Sequence, residues 1–170
     1  MNSVSSVIAR GPAQLARMVC VFWLESGCYA LDATLVGEVS AIEELTPLPR
    51  CHPAVLGLGN LRGQALAIID LAATLGIDGP TPATPEVGAR VLVLRLPGRS
   101  AGVLVTRVEG VFTTEADGFR SANRLAEPSY VAGFHTFSGR PDLVATAIAP
   151  DELATRLSTL GFHRSAHRGG

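Results

Sequence analysis

The chain contains no lysine; all 14 of its basic residues are arginines. Every positive side chain is therefore a planar, permanently ionised fork rather than a mobile ammonium point charge. Aromatic residues are scarce at 5%, so the core must be assembled from Val, Leu, Ile and Ala. Neither sign of charge is in excess. A net charge of −1, with arginines scattered along the chain, gives no basic surface for nucleic acid. Exposed aromatics on which bases could stack are lacking as well. Long apolar runs are missing too: the longest, Met18–Leu24, stops at Glu25, so direct membrane insertion is not expected. The opening residues MNSVSSVIARGPAQLAR lack a basic start followed by an apolar block, so no secretory leader is expected and the cytoplasm is the expected compartment. Cysteine is limited to Cys20, Cys28 and Cys51, an odd number without metal-ligand spacing. The first two lie in strand-like runs, where buried free thiols are common.

What is present points to a packed β-protein. At 170 residues and 47% hydrophobic composition there is room for one ordinary domain or two small barrels sharing a core. A chain of this size buries about 70% of its unfolded surface and needs no disulfide or metal staple. Residues 1–16 are small and polar and read as a flexible N-terminal arm. Strands are expected at Met18–Leu24 and Cys28–Leu31 around a turn at Glu25-Ser26-Gly27. Asp32 can cap a short helical turn over Ala33–Val36, and Gly37–Ile42 returns to extended chain. Pro47, Pro49 and Pro53 mark an irregular crossover, and Leu71–Leu75 suits one helical turn ending at Gly76. A proline-rich linker, Gly79–Pro85, precedes a second group of strands: Arg90–Leu96, Ala101–Thr106, Val108–Thr113, Tyr130–Phe137 and Leu143–Ile148. Pro150-Asp151-Glu152 opens a C-terminal helix over residues 150–160, with its acids at the positive end of the dipole, and 161–170 read as a disordered tail.

The most informative stretch is Gly57–Leu71, GLGNLRGQALAIIDL. Two apolar runs, Val55–Leu58 and Ala65–Ile69, flank the polar break Asn60-Leu61-Arg62-Gly63, and both are too short for helices. The segment reads as a hairpin, with Asn and Gly suited to the positive φ of a sharp reversal. Turn chemistry does not require Arg62. An arginine between two buried strands is either a solvated turn residue or a recognition fork on a stiff scaffold.

Catalytic patterns are fragmentary. Gly98-Arg99-Ser100-Ala101-Gly102 matches G-x-S-x-G, and Asp142 and His163 follow in hydrolase order, so a serine hydrolase using Ser100 is the alternative from another class. That elbow requires a helix after the serine, whereas the β-branched residues that follow predict a strand. His163 and His167 are four apart without an HEXXH motif, and Cys51-His52 is only a neighbour pair. No catalytic residue, metal site or cofactor is expected.

The order of motifs resembles a known family. Val21-Phe22-Trp23-Leu24, Tyr29-Ala30-Leu31-Asp32, Val36-Gly37-Glu38-Val39, Thr46-Pro47-Leu48-Pro49, Gly57–Gly63 and Ile69-Asp70-Leu71 look like a CheW domain. Arg90–Leu94, Gly102–Val105, Val108–Val111 and Tyr130–Gly133 continue the likeness, so that it covers residues 17–160. The resemblance implies an all-β fold of two packed SH3-like five-stranded barrels with short helical turns and a C-terminal helix. On a linear split, the first barrel spans roughly 17–78 and the second roughly 86–149. It implies a non-enzymatic adaptor that couples the cytoplasmic tip of a chemoreceptor, a methyl-accepting chemotaxis protein, to the regulatory domain of a CheA-type histidine kinase. Other CheW-like domains are a third class of partner, and a specialised form binding only one partner is the alternative. The receptor-binding residues it implies are Val36, Glu38, Val39 and Arg62 from the first barrel and Val105 and Val108 from the second. Thr106 and Arg107 stand where the family usually has an acidic and a small residue. The kinase-binding residues are left open.

Overall fold

The structure, a computed structural model, describes residues 16–42, 44–79, 89–115, 117–123, 125 and 127–161. The expected arm up to residue 15, residues 80–85 of the proline-rich linker, the tail from 162 and both His163 and His167 lie outside the described residues. The chain runs through β1 (Arg17–Leu24), β2 (Gly27–Asp32), a 3-10 turn (Ala33–Leu35), β3 (Val36–Ser40), β4 (Leu45–Thr46), β5 (Val55–Leu61) and β6 (Gln64–Asp70). It continues through α1 (Leu71–Leu75), β7 (Arg90–Leu96), β8 (Arg99–Val105), β9 (Arg107–Thr114), β10 (Phe119–Ser121), β11 (Val131–Phe137), β12 (Arg140–Ile148) and α2 (Pro150–Thr159).

Local chemistry accounts for the short elements. Asp32 accepts the Thr34 amide at 2.9 Å and so caps the 3-10 turn. The buried Asp70 caps α1 by accepting from the Ala73 amide at 3.0 Å, and Gly76 ends the helix at φ 73°. α2 begins with Pro150 and acids Asp151 and Glu152, and buries Leu153 and Leu157.

The strands form two six-stranded sheets, in the orders β10-β11-β12-β2-β1-β9 and β3-β7-β8-β6-β5-β4. In each, five strands of five or more residues are joined by one short strand, β10 or β4. Both sheets curl into barrels. Arg62, between β5 and β6, reaches Glu38 on β3 at 2.9 Å although β7 and β8 intervene in the ladder. Phe112 on β9 meets Phe137 on β11 at 5.0 Å although β12, β2 and β1 intervene.

The linear split between the barrels is corrected by this topology. β3 to β8 form one barrel from a single segment, residues 36–105, and that segment is inserted into the other barrel between β2 and β9. Among the described residues the chain crosses between barrels at the 3-10 turn and at Thr106. Period-two alternation marks a strand without naming its partner. The deciding pairs, Val36 with Leu94 and Val21 with Gly110, are remote in sequence.

Alternation divides the apolar residues among three cores. Val19, Val21, Ala30, Phe137, Leu143 and Ala145 fill the outer barrel, and Leu61, Ile68, Val91 and Leu104 fill the inserted one. Gly102 belongs to that interior because a Cβ there would stand 2.6 Å from Ile68 Cδ1. The largest cluster lies between the barrels and takes the opposite faces of both sheets: Cys20, Phe22 and Leu31 from one, Ile69, Leu92, Leu94, Val103 and Val105 from the other, closed by Leu153, Leu157 and Leu160.

Candidate functional site

The Arg62 turn is tighter than the polar break suggested. Leu61 pairs with Gln64, leaving Arg62 and Gly63 as the central residues at φ 51° and 79°. Two successive left-handed residues are the signature of a type I′ hairpin turn, whose twist matches that of the flanking strands. Asn60 stays in β5, and Leu61 points into the barrel with 8% exposure, so the reversal falls one residue later and Arg62 itself takes the positive φ. The Arg62 side chain is 82% exposed, and its Nε lies 2.9 Å from Glu38 Oε1 in an ion pair. That contact orients the fork over β3. Among the described residues no carboxylate other than Glu38 pairs with it.

Gly37 is a bulge in β3. Val36 pairs with Leu94 and Glu38 with Val93, so Gly37 is the extra residue. The consequence is that Val36 and Val39, three apart in sequence, share the face turned to the inter-barrel core, while Glu38 takes the other face beside Arg62. Val39 extends the cross-strand row Val55–Ile69–Val103–Leu92 out of the core to the surface, where it is 44% exposed. Val36 is half-buried against the same core.

β9 mirrors this arrangement. Val108 pairs with Phe22 and Gly110 with Val21, so Glu109 is the bulged residue. Val108 packs against the inter-barrel core, and Val111 extends the row Leu31–Cys20 outward with 56% exposure. β3 and β9 are each the terminal strand of their ladder. The inter-barrel core therefore ends, on each sheet, in one half-buried and one exposed valine.

The remaining expected residue is placed differently. Val105 is on β8, in the same barrel as Arg62 rather than the other, and is 2% exposed within the inter-barrel core. Its side chain offers no surface to a partner and instead packs beneath one. Val111 was not among the expected residues, because the bulge at Glu109 puts it three after Val108 on the same face and hides the alternation that would have marked it.

Thr106 and Arg107 are engaged within the chain. Thr106 Oγ1 accepts from the Glu25 amide at 3.0 Å, and the Thr106 amide donates to the Trp23 carbonyl at 2.9 Å. The Arg107 guanidinium lies 4.3 Å from the Trp23 ring centre, and the indole N–H donates to Glu109 Oε2 at 3.0 Å. Glu109 also pairs with Arg107 at 2.6 Å and with Arg140 at 3.4 Å. The indole hydrogen bond, followed by that from Arg107, holds its carboxyl below the usual range. This cluster joins the start of β9 to the β1–β2 and β11–β12 hairpins.

The hydrolase alternative does not assemble. Ser100 lies within β8, with no helix after it, and Asp142 sits in the other sheet paired with Arg140. His163 is outside the described residues. The described residues hold no group of three or more His, Cys, Asp or Glu placed to bind a metal ion. All three cysteines are free, with Cys20 buried, Cys28 half-buried and Cys51 exposed. No helix among the described residues is long and apolar enough to cross a membrane.

Comparison with known proteins agrees with the motif reading. The family described as the CheW-like domain matches residues 18–157. The chemotaxis protein CheW of Rhizobium meliloti is 29% identical over 115 residues, covering 66% of this chain and 72% of that protein. The Thermotoga maritima chemotaxis protein CheW is 30% identical over 93 residues, and the alignment spans 55% of this chain and 59% of that relative. A probable chemotaxis protein CheW of Rhizobium etli is 33% identical over 50% of this chain and 53% of its own length. Among solved structures, the scaffolding protein TtCheW of Thermoanaerobacter tengcongensis superposes with a TM-score of 0.68, covering 79% of this chain and 90% of that one at 23% identity. That likeness establishes the fold.

Proposed function

The chain belongs to the CheW-like domain family, and from that premise we propose that it is a non-enzymatic adaptor of a chemosensory pathway, coupling a chemoreceptor's cytoplasmic tip to the regulatory domain of a CheA-type histidine kinase. It acts by binding alone, in the cytoplasm where both partners are found, and other CheW-like domains are further partners in an array.

The observation that carries the receptor half of this reading is the pair of valine-bearing edge strands at the two limits of the inter-barrel core. Val36 and Val39 line one, and Val108 and Val111 the other. The bulges set each pair of valines opposite partners two apart, Leu94 and Leu92 or Phe22 and Cys20, a spacing of about 6.8 Å. An α-helix repeats an apolar residue every four positions, about 6 Å along its axis. A helical receptor tip therefore matches the spacing of these valines and can bury them as a groove-bound amphipathic helix does. Arg62, already oriented by Glu38, presents its terminal nitrogens to a receptor carboxylate, and Val105 supports the seam from within.

Co-purification with a receptor tip and with a CheA regulatory domain, each offered separately, tests the proposal. Retention of both is expected. Retention of one alone would assign the specialised form, and retention of neither would remove the reading.

A further inference from the structure

A row of rings crosses the interior of the outer barrel from β10 to β9. Phe119 on β10 is centred 4.9 Å from His135 on β11, His135 is 6.4 Å from Phe137, and Phe137 is 5.0 Å from Phe112 on β9. The row bridges the gap at which the barrel closes, because β9 and β10 are the two terminal strands of that ladder. Phe119 also covers Gly133, where a Cβ would stand 2.6 Å from its Cζ. Three of the four rings are apolar and the fourth can ionise. His135 is 6% exposed, and its Nδ1 has no hydrogen-bond partner.

The neutral imidazole serves here as a flat aromatic spacer. An imidazolium carries two N–H donors and a charge, and burying that charge with Nδ1–H lacking an acceptor is costly. The charged groups on the surrounding elements do not relieve this. Arg17 on β1 acts on the ring with the same sign of charge. Arg120 on β10 is paired with Phe134 and so faces away from the Phe119–His135 side. Glu115 is held by the Ser138 hydroxyl, and Asp117 is exposed. Arg140 and Asp142 on β12 bind each other, and Glu109 on β9 binds Trp23 and Arg107. The cross-strand neighbours Phe119 and Ala145 are uncharged.

We propose that His135 makes the β9 side of the inter-barrel seam acid-sensitive: protonation expels its ring from the aromatic row and releases the Phe137–Phe112 contact that braces β9. β9 carries Val108 and Val111, so acid weakens the valine surface that β9 would offer a receptor helix; this functional consequence rests on the receptor reading above, whereas the loosening of the strand does not. The sign follows from linkage. Burial, and then Arg17, lower the tendency of the folded histidine to take up a proton from its ordinary value of 6.5. The open state therefore binds the extra proton below that pH. Its population rises by about tenfold for each pH unit until the folded ring itself titrates.

Backbone amide exchange of the full chain, corrected for the intrinsic rate at about pH 7.5 and about pH 5.5, reads this directly. The β9 and β10 amides that bond to β1 and β11, Arg120 among them, should lose about tenfold more protection than Leu92 and Val103 of the inserted barrel. His135→Phe, which keeps a ring that cannot ionise, should abolish the difference. An equal loss in that variant, or a uniform loss across both barrels, would overturn the proposal. Should His135→Phe fail to fold, the wild-type ring titration by NMR decides: a midpoint at or above 6.5 with β9 protection unchanged also overturns it. A receptor-tip titration at the same two pH values separates the two readings. Absence of binding at both removes the receptor reading and leaves the exchange result standing. Equal binding at both overturns the link between His135 and the seam.

Discussion

Arg62 holds a left-handed backbone at φ 51° and a side chain that is 82% exposed. Its ion pair with Glu38 is screened by water and adds little to folding, and its proposed role is to present the fork to a receptor carboxylate. Arg62→Ala should therefore weaken binding of a receptor tip by about 2 kcal/mol, roughly thirtyfold, while leaving the thermal melt unchanged. Calorimetric titration and a melt of the same sample check both halves. Val105 should behave in the opposite way. Truncating this 2% exposed side chain to alanine removes buried methyl groups from the inter-barrel core. Val105→Ala should lower unfolding stability by about 2 kcal/mol in urea. Sequence motifs alone placed these two residues in one binding set. Their spacing was legible, but burial was not, because an apolar residue at a strand's end reads the same whether it faces a core or a partner.

At the scale of elements, most boundaries were legible for local reasons. The Asp32 turn, the Leu71–Leu75 helix with its Gly76 stop, and the C-terminal helix from Pro150 each announce themselves by a cap or a breaker. Asp70→Ala removes the side-chain acceptor that holds the Ala73 amide and should cost about 1 kcal/mol in urea unfolding, while Asp70→Asn keeps the acceptor and should cost less. β10 was not legible. Phe119–Ser121 is three residues long, and its strand character comes from pairing with Gly133–His135 rather than from any pattern of its own. The bulges at Gly37 and Glu109 were equally hidden, yet they decide which valines share a face. A single extra residue shifts the parity of everything after it.

At the scale of the whole molecule, one barrel is an insertion within the other, and neither owns the largest core. Cys20, Phe22 and Leu31 of the outer barrel pack with Leu92, Leu94 and Val103 of the inserted one, and α2 closes the cluster. The two barrels should therefore unfold together. Trp23 fluorescence, which reports on the outer barrel, and far-ultraviolet dichroism should give coincident urea transitions. Separate midpoints would mean that the shared core does not couple them. The same architecture explains why the linear split failed: strand order was readable along the chain, but the pairings that define each barrel join segments on either side of the insertion. It also underlies the proposal that a receptor helix docks on the valines of the two terminal strands, β3 and β9. The most direct test is calorimetric titration of a receptor cytoplasmic tip into Val39→Glu and Val111→Glu, one substitution on each edge strand. Saturable binding to the wild type that is lost in both variants, with unchanged melts, is the predicted result; full affinity in either variant would contradict it.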